Sequence, residues 1–299
     1  MRLVQSGLNC ISLSPMKTAA FLTLVLSALC STLVAADGDL GTALTRQYKD
    51  QVLILRHPAH GEWLKFDSSG GRLPPGEETP WTVDGAIVVD DVQVTSKTLT
   101  IKGKRRWYAF DPRRQRLLPA KTKWKDKVKI EVELGAPLRD PAEATAIIDS
   151  VFVRNEQELI AEAPEYWRPF LAKHYGHGDV VKSLEETRAS EIARLQVVKL
   201  DTKIIKPPQP VFTPGPDLMD PQTRSIPDIA DYTIRGVVVL DAIIDQNGKV
   251  LLPDIRRPMG LGLDEKAIAA VQKWKFKPAT RNGKPVAVEM GLEIQFNIN

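Results

Sequence analysis

The fold of the C-terminal part of this chain is decided by residues 263–278, which read LDEKAIAAVQKWKFKP. Asp264 takes the N-cap position of a helix, and Leu263 and Ile268 lie at the two positions that form a hydrophobic staple. Apolar residues continue on one helical face as far as Trp274, and the closing proline ends the helix. This pattern predicts one amphipathic helix with a buried face.

Strand patterns lie on both sides of this helix. Residues 236–245 are rich in β-branched side chains, and Asn247-Gly248 predicts a hairpin turn into a second strand from Val250 to Arg256. Beyond a second Asn-Gly turn, apolar residues alternate with others along one unbroken strand. The apolar residues of that strand are Val286, Val288, Met290, Leu292, Ile294, Phe296 and Ile298.

This block resembles the C-terminal domain of the TonB family, over about residues 228–299. The resemblance implies a three-stranded antiparallel sheet packed on a helix, and a role in the envelope of a Gram-negative-type bacterium. It also implies energy transduction to outer-membrane transporters, whose receptor segment adds a strand to this sheet. The motifs that carry it are GVVVL at 236–240, IDQNGKV at 244–250, GLDEKA at 262–267, AVQKWKFKPA at 270–279 and GKPV at 283–286.

The last strand provides a physical basis for such binding. A strand at the edge of a sheet leaves a row of unpaired N–H and C=O groups, with which a partner segment can pair. The alternative is a strand that only completes the core, with its edge covered or paired in a homodimer. For the binding interpretation, the predicted partner-binding residues are Val286, Val288, Met290, Leu292, Ile294 and Phe296.

Residues 1–36 are typical of an export signal. Lys17 precedes an apolar run from Ala19 to Leu29, and Val34-Ala35-Ala36 provides small residues for cleavage. Cleavage predicts a protein of the periplasm. The alternative is an uncleaved inner-membrane anchor, because Thr18 to Ala36 carries no charge and is just long enough to span a bilayer. An inner-membrane motor becomes a partner only in that second case.

Composition excludes several classes of protein. The 299 residues are 43% hydrophobic and 26% charged, which is ordinary for a globular chain and excludes a polytopic membrane protein. Cys10 and Cys30 both lie in the predicted signal, so the cleaved chain has no thiol for a disulfide or a nucleophile. Removal of residues 1–36 takes away Arg2 and Lys17 and lowers the net charge from +4 to +2, which is too near neutral to predict nucleic acid as a partner. No catalytic constellation is recognisable, and we expect neither enzyme activity nor a cofactor.

The rest of the chain completes an α+β architecture. Residues 37–134 contain short strands between turn residues and predict a mostly-β domain, such as a small barrel or sandwich. Residues 135–197 predict a helical extension, with capping boxes at Asp140-Pro141-Ala142-Glu143 and at Ser183-Leu184-Glu185-Glu186. Residues 198–227 hold seven prolines from Pro207 to Pro227 and predict an extended linker.

A second candidate function lies in the β-rich domain. Residues 102–129 hold twelve basic and two acidic residues with interleaved aromatic side chains. This composition predicts a surface for acidic envelope components, so the alternative function is a periplasmic adaptor. The predicted acidic-partner patch consists of Arg105, Arg106, Arg113 and Arg114. The competing interpretation is a solvated strand face with the aromatic side chains in the core.

Two H-x-x-H pairs, His57/His60 and His174/His177, have a spacing that zinc sites use. A proline or a glycine within each pair breaks the helical face that would align the two imidazoles. Loop histidines are the favoured interpretation, and no metal site is predicted.

Overall fold

The computed structural model describes residues 37–120, 127–218 and 234–298. The predicted signal or anchor at 1–36 lies outside the described residues, as does the second part of the predicted linker from residue 219. Within the described ranges, no helix is long and apolar enough to cross a membrane. The helices are α1 (Asp37–Tyr48), α2 (Pro141–Val151), α3 (Glu156–Glu162), α4 (Arg168–Tyr175), α5 (Gly178–Arg194) and α6 (Leu263–Val271).

Seventeen strands are described, and many of them contain only two to four residues. The first nine are β1 (Val52–Leu55), β2 (Trp63–Phe66), β3 (Arg72–Leu73), β4 (Ala86–Val94), β5 (Thr98–Arg105), β6 (Tyr108–Asp111), β7 (Arg116–Pro119), β8 (Lys127–Glu133) and β9 (Phe152–Val153). The others are β10 (Ile205–Lys206), β11 (Gln209–Phe212), β12 (Ile234–Ile244), β13 (Val250–Arg257), β14 (Lys275–Lys277), β15 (Ala279–Arg281), β16 (Lys284–Val286) and β17 (Val288–Ile298).

The N-terminal part is a seven-stranded sheet in the order β3-β2-β8-β5-β4-β1-β9. All neighbours are antiparallel except β2 and β8. The end strands β3 and β9 do not pair with each other, so the sheet is open. The predicted small barrel or sandwich is therefore wrong, and the N-terminal part is an open sheet with helices packed on it. Helix α1 was not predicted; Leu40, Leu44 and Tyr48 recur every four residues on its buried face and join α2 in one core with the sheet.

One of the two predicted capping boxes is found as a helix N-cap, with its glutamate accepting from the N–H of Arg139 rather than from that of Asp140. The Asp140 carboxylate accepts hydrogen bonds from the N–H groups of Ala142 (2.8 Å) and Glu143 (3.0 Å) and begins α2 with a proline at its first turn. The box at Ser183 is wrong as a helix start, because α5 begins at Gly178 and Ser183 lies inside it. The turn before α5 is made by Gly176 in the left-handed conformation.

The C-terminal part confirms the predicted three-stranded antiparallel sheet, in the order β13-β12-β17. Strands β12 and β17 pair over their whole length, from Ile234 opposite Ile298 to Ile244 opposite Val288. Helix α6 packs on this sheet through Leu263 and other side chains of one core. The unbroken strand expected from residue 286 is wrong, because Val286 belongs to β16 and pairs with Ala279.

The first part of the predicted linker lies on the C-terminal part. Strand β10 pairs with β15, and β11 pairs with β14. The indole N–H of Trp274 donates to the Pro214 carbonyl (2.9 Å), and the Lys266 ammonium donates to the Asp217 carbonyl (2.8 Å). We call residues 198–218 the strap. Its prolines favour an extended backbone, which these contacts fasten to the sheet.

Candidate partner-binding edge

The alternating side chains of β17 point into the protein core. Val288, Leu292, Ile294 and Phe296 are at most 4% exposed, and Met290 is half-buried. A partner could touch the four buried side chains only if the core opened, which would expose apolar surface to water. These four predicted partner-binding side chains therefore hold β17 in place. What β17 offers to a partner is its backbone.

The outer edge of β17 can be assigned from one contact. The N–H of Val198 donates to the carbonyl of Ala287 (2.9 Å), and Val198 forms a parallel bridge with Val288. Backbone groups alternate between the two sides of a strand, so odd-numbered residues direct N–H and C=O away from β12. No other strand pairs with this edge among the described residues. The unpaired outward residues are Gly291, Glu293, Gln295 and Asn297.

The strand at the opposite edge of the sheet is in contact with helical elements. Strand β13 lies against α4 and the short helical turn Glu165–Trp167. The loop that follows β13 is held by strand β6, because the N–H of Phe110 donates to Met259 and the N–H of Leu261 donates to Tyr108 (2.8 and 2.9 Å). Within the described ranges, an added strand therefore finds open backbone at β17 rather than at β13.

Helix α5 lies over one end of the sheet and is fastened by Arg188. Its guanidinium contacts Glu289 of β17 (2.9 Å from Nε) and Asp254 of β13, and donates to the carbonyl of Leu252 (3.2 Å). Burial raises the pKa of Asp254 to about 6, although the positive charge of Arg188 acts to lower it. The cation thus joins two outer strands of the sheet to one helix.

Comparison with known proteins agrees with this geometry. Residues 227–298 match the family described as Gram-negative bacterial TonB protein C-terminal. These residues form a TonB C-terminal domain. A curated relative, Protein TonB of Vibrio cholerae serotype O1 (strain ATCC 39315 / El Tor Inaba N16961), is 30% identical over 93 residues, or 30% of this chain. The matched region spans 38% of that relative's length.

The start of α6 in the TonB domain differs from the prediction. Gly262, in the left-handed conformation, precedes the helix, and Asp264 lies in its first turn rather than at the N-cap. The fully buried Asp264 carboxylate accepts hydrogen bonds from the N–H groups of Met259 (2.8 Å) and Gly260 (2.7 Å). Burial raises the pKa of Asp264 well above its usual range. Its role is therefore to fix the loop between β13 and α6.

The predicted acidic-partner patch is not one surface. Arg105 is buried, lies 3.3 Å from the Asp84 carboxylate and donates to the carbonyls of Ala59 and Gly61 (2.8 Å each). This removes Arg105 from the patch, because its guanidinium is committed inside the protein. Arg106 is half-buried. Arg113 and Arg114 are exposed on the turn between β6 and β7, where the Asp111 carboxylate accepts their backbone N–H groups.

The structure reveals a different surface, rich in lysine, which sequence reasoning missed. Its lysines are partly neutralised, because Lys104 pairs with Asp90 and Lys129 pairs with Glu131 (2.7 Å each). Trp63 is 55% exposed, and its ring lies 4.4 Å from the Lys129 ammonium and 4.7 Å from that of Lys65. Cross-strand register places further lysines on the same face. The sequence pattern that could have predicted this surface is the pair of lysines two residues apart in each of β5 and β8. We call this surface the lysine–tryptophan face: Trp63, Lys65, Lys102, Lys104, Lys127 and Lys129.

The histidine pairs do not converge. His57 contacts Glu78 (2.7 Å), His60 lies 3.4 Å from Asp84, and His174 stacks on a phenylalanine ring of the same helix. Burial lowers the pKa of His174. In the described part of the chain, no group of three potential metal ligands comes together.

Proposed function

We propose that this chain is an exported envelope protein whose TonB domain binds a partner segment by strand addition at the outer edge of β17. The observation that carries the proposal is the geometry of this edge. Four buried side chains anchor β17, β12 pairs with its inner side, and the outer backbone groups beyond Val288 face away from the sheet. An anchored edge needs little reordering before it pairs, which favours binding.

The affinity in this mode comes from main-chain hydrogen bonds, and selectivity comes from nearby side chains. Glu289 and Glu293 lie on the same face of the strand as Gln295 and Asn297, and all but Glu289 are exposed. Because Arg188 neutralises Glu289, this face offers a partner polar groups and the carboxylate of Glu293. We propose outer-membrane transporters as the partner, because the matched family model and the curated relative are both TonB proteins. A second copy of this chain would compete for the same edge.

Whether the exported chain is released or stays anchored depends on residues 1–36. We propose cleavage after Ala36 and a periplasmic location. An uncleaved segment would instead anchor the chain in the inner membrane and allow coupling to a motor. The mass and N-terminus of the native protein in separated membrane and soluble envelope fractions distinguish these two outcomes.

The strand-addition proposal can be tested by removing one outward N–H. Glu293→Pro deletes an edge donor, whereas Glu293→Ala changes only the side chain and is the matched control. The probe is a synthetic peptide with the sequence of the N-terminal periplasmic segment of an outer-membrane transporter from the same bacterium. We expect Glu293→Ala to bind within about twofold of wild type and Glu293→Pro at least about tenfold more weakly, or about 1.4 kcal/mol.

Amide hydrogen exchange provides a second readout if the proline also perturbs the sheet. Binding of the peptide to the unmodified protein should slow exchange at residues 291, 293, 295 and 297. Equal affinity of wild type and Glu293→Pro, or protection that avoids β17, would refute strand addition at this edge.

A second candidate function rests on the lysine–tryptophan face. We propose it as the surface of an adaptor for acidic envelope components, in place of the arginine patch. An exposed tryptophan whose ring lies close to two ammonium groups can insert among lipid headgroups. The lysines would exchange their pairing with Glu131, Asp90 and Asp91 for the lipid phosphates. The double variant Trp63→Ala/Lys129→Gln should lose most of its binding to vesicles that contain phosphatidylglycerol, and the pair Arg113→Gln/Arg114→Gln should retain it. The reverse result would assign binding to the arginines.

A further inference from the structure

The strap holds two large apolar side chains out in solvent. Val211 and Phe212 of β11 are 62% and 55% exposed. Strand β11 pairs with β14, with Phe212 opposite Lys275 and a register shift just before Phe212. Such a shift is a β-bulge, which sets two residues against one and re-aims their side chains. Both apolar side chains therefore project beside Lys275.

Three lysines lie on this same side of the strands. Lys249 forms an antiparallel bridge with Lys275, so their side chains leave neighbouring strands on one face. Lys277 follows two residues later in β14 and shares that face, whereas Phe276 between them is buried. All three lysines are exposed. We call the following residues the lysine–phenylalanine face: Val211, Phe212, Lys249, Lys275 and Lys277.

The positive charges of this face are not balanced within the described part of the chain, where none of its three ammonium groups forms an ion pair. Asp245 lies four residues before Lys249, and its carboxylate accepts the backbone N–H groups of Asn247 and Lys249 (2.8 Å each). It therefore fixes the turn. Like charges directly opposite each other destabilise a sheet, so the pair of Lys249 and Lys275 would be relieved by an anionic partner.

The apolar pair decides which anionic partner fits. Apolar side chains that project from a surface need a matching pocket on a rigid protein, whereas the headgroup layer of a bilayer accepts them and places lysines at its phosphates. A second copy of this chain would set lysines against lysines, which is unfavourable. We propose that the lysine–phenylalanine face docks the strap and the adjoining TonB domain on an anionic lipid surface, with Val211 and Phe212 among the headgroups.

The lysine–phenylalanine face shares no residue with the outer edge of β17 or with the lysine–tryptophan face, so the three proposals can fail separately. Flotation of the full chain with vesicles of phosphatidylcholine, with and without phosphatidylglycerol, measures lipid binding. To remove any contribution of the lysine–tryptophan face, every variant is also made in the Trp63→Ala/Lys129→Gln background. We expect binding in that background to require phosphatidylglycerol and to weaken as salt rises.

Two variants separate the apolar and charged parts of the face. Val211→Ser/Phe212→Ser should weaken binding at least about tenfold, because two apolar side chains no longer leave water. Lys249→Gln/Lys275→Gln/Lys277→Gln should also weaken it at least about tenfold. Lys173→Gln/Lys182→Gln, at exposed positions of α4 and α5, is the charge control and should bind within about twofold of its parent.

Far-UV circular dichroism checks that each variant is folded, which we expect because every substituted side chain is exposed. The proposal is overturned if the parent in the Trp63→Ala/Lys129→Gln background binds neither kind of vesicle, or both equally. It is also overturned if the control loses as much binding as the lysine variant does. Loss in the lysine variant with full binding by Val211→Ser/Phe212→Ser would exclude insertion and indicate an acidic macromolecule instead. Glu293→Pro should leave vesicle binding unchanged, and the two variants of this face should leave binding of the transporter peptide unchanged.

Discussion

Replacing Arg188 by methionine should detach α5 from the sheet, and the size of the effect should depend on pH. The side chain is 20% exposed and contacts two carboxylates, on Asp254 and Glu289, as well as the carbonyls of Leu252 and Asp241. Removing one partner of a fully buried ion pair costs about 3–5 kcal/mol, and partial exposure reduces this. We expect a loss of about 2–3 kcal/mol at pH 8.

The pH dependence follows from Asp254, whose pKa of about 6 lies above the usual 3.8. The folded state therefore binds this proton more tightly than the unfolded chain, so the contribution of Asp254 to stability increases as pH falls from about 7 towards 4. At pH 8 the variant leaves an ionised Asp254 without its cation. At pH 5 the carboxyl is largely protonated with or without Arg188, and the expected loss falls to about 1 kcal/mol.

Urea unfolding followed by far-UV circular dichroism at pH 8 and pH 5 gives both values. Arg194→Met is the matched control, because Arg194 lies on the same helix, is 68% exposed and pairs with Glu191 of the same helix. Its effect should stay below about 0.5 kcal/mol at both pH values. The reasoning fails if Arg188→Met costs the same at the two pH values, or no more than the control.

Two further predictions concern a turn and an ion pair. Gly248→Ala should lower the free energy of unfolding by at least about 3 kcal/mol, since a Cβ at this left-handed position would lie 1.7 Å from the Phe276 carbonyl oxygen. Gly283→Ala, at a left-handed position with no atom within 4 Å, should lower it by about 1 kcal/mol. Similar losses for the two variants in urea unfolding would contradict this reasoning. Burial opposes the ionisation of Glu158, yet hydrogen bonds from Arg154 and a second arginine lower its pKa to about 2. The stability that the ionised Glu158 contributes is complete above about pH 4.5 and is lost as pH falls towards 2. Glu158→Gln should therefore lower the free energy of unfolding in urea by about 1–2 kcal/mol at pH 7 and by nothing near pH 2. The same difference between variant and wild type at both pH values would exclude this link between ionisation and stability.

Local patterns predicted the TonB domain well because its elements are specified by neighbours in sequence. The helix stripe and the alternation of β17 depend on side-chain periodicity, and the Asn-Gly turn depends on one pair of turn residues. The predicted helix is too long, because α6 ends at Val271 and Lys275–Lys277 forms β14. Helix α1 escaped prediction because its apolar positions are few and lie next to strand-like runs. The end of β17 at Ala287 was not predicted either, because the apolar alternation continues through Val286. In the structure, Val286 pairs with Ala279 in another sheet.

The candidate sites depended on contacts that no spacing reveals. Arg105 looked like the other arginines of its basic stretch, but the fold surrounds it with Asp84 and backbone carbonyls. The lysine–tryptophan face required the register of β2 with β8, two strands more than sixty residues apart.

The sequence by itself determined that the last third contains a TonB-type sheet and helix, because hydrophobic periodicity and turn residues act over a few positions. Only the tertiary structure decided which edge of that sheet is open and which charges are buried. Edges and burial are set by what packs on each element. Here α4 and α5, which are distant in sequence, and the strap, which lies just before the TonB domain, cover one part of that domain. They leave the outer edge of β17 beyond Val288 unpaired among the described residues.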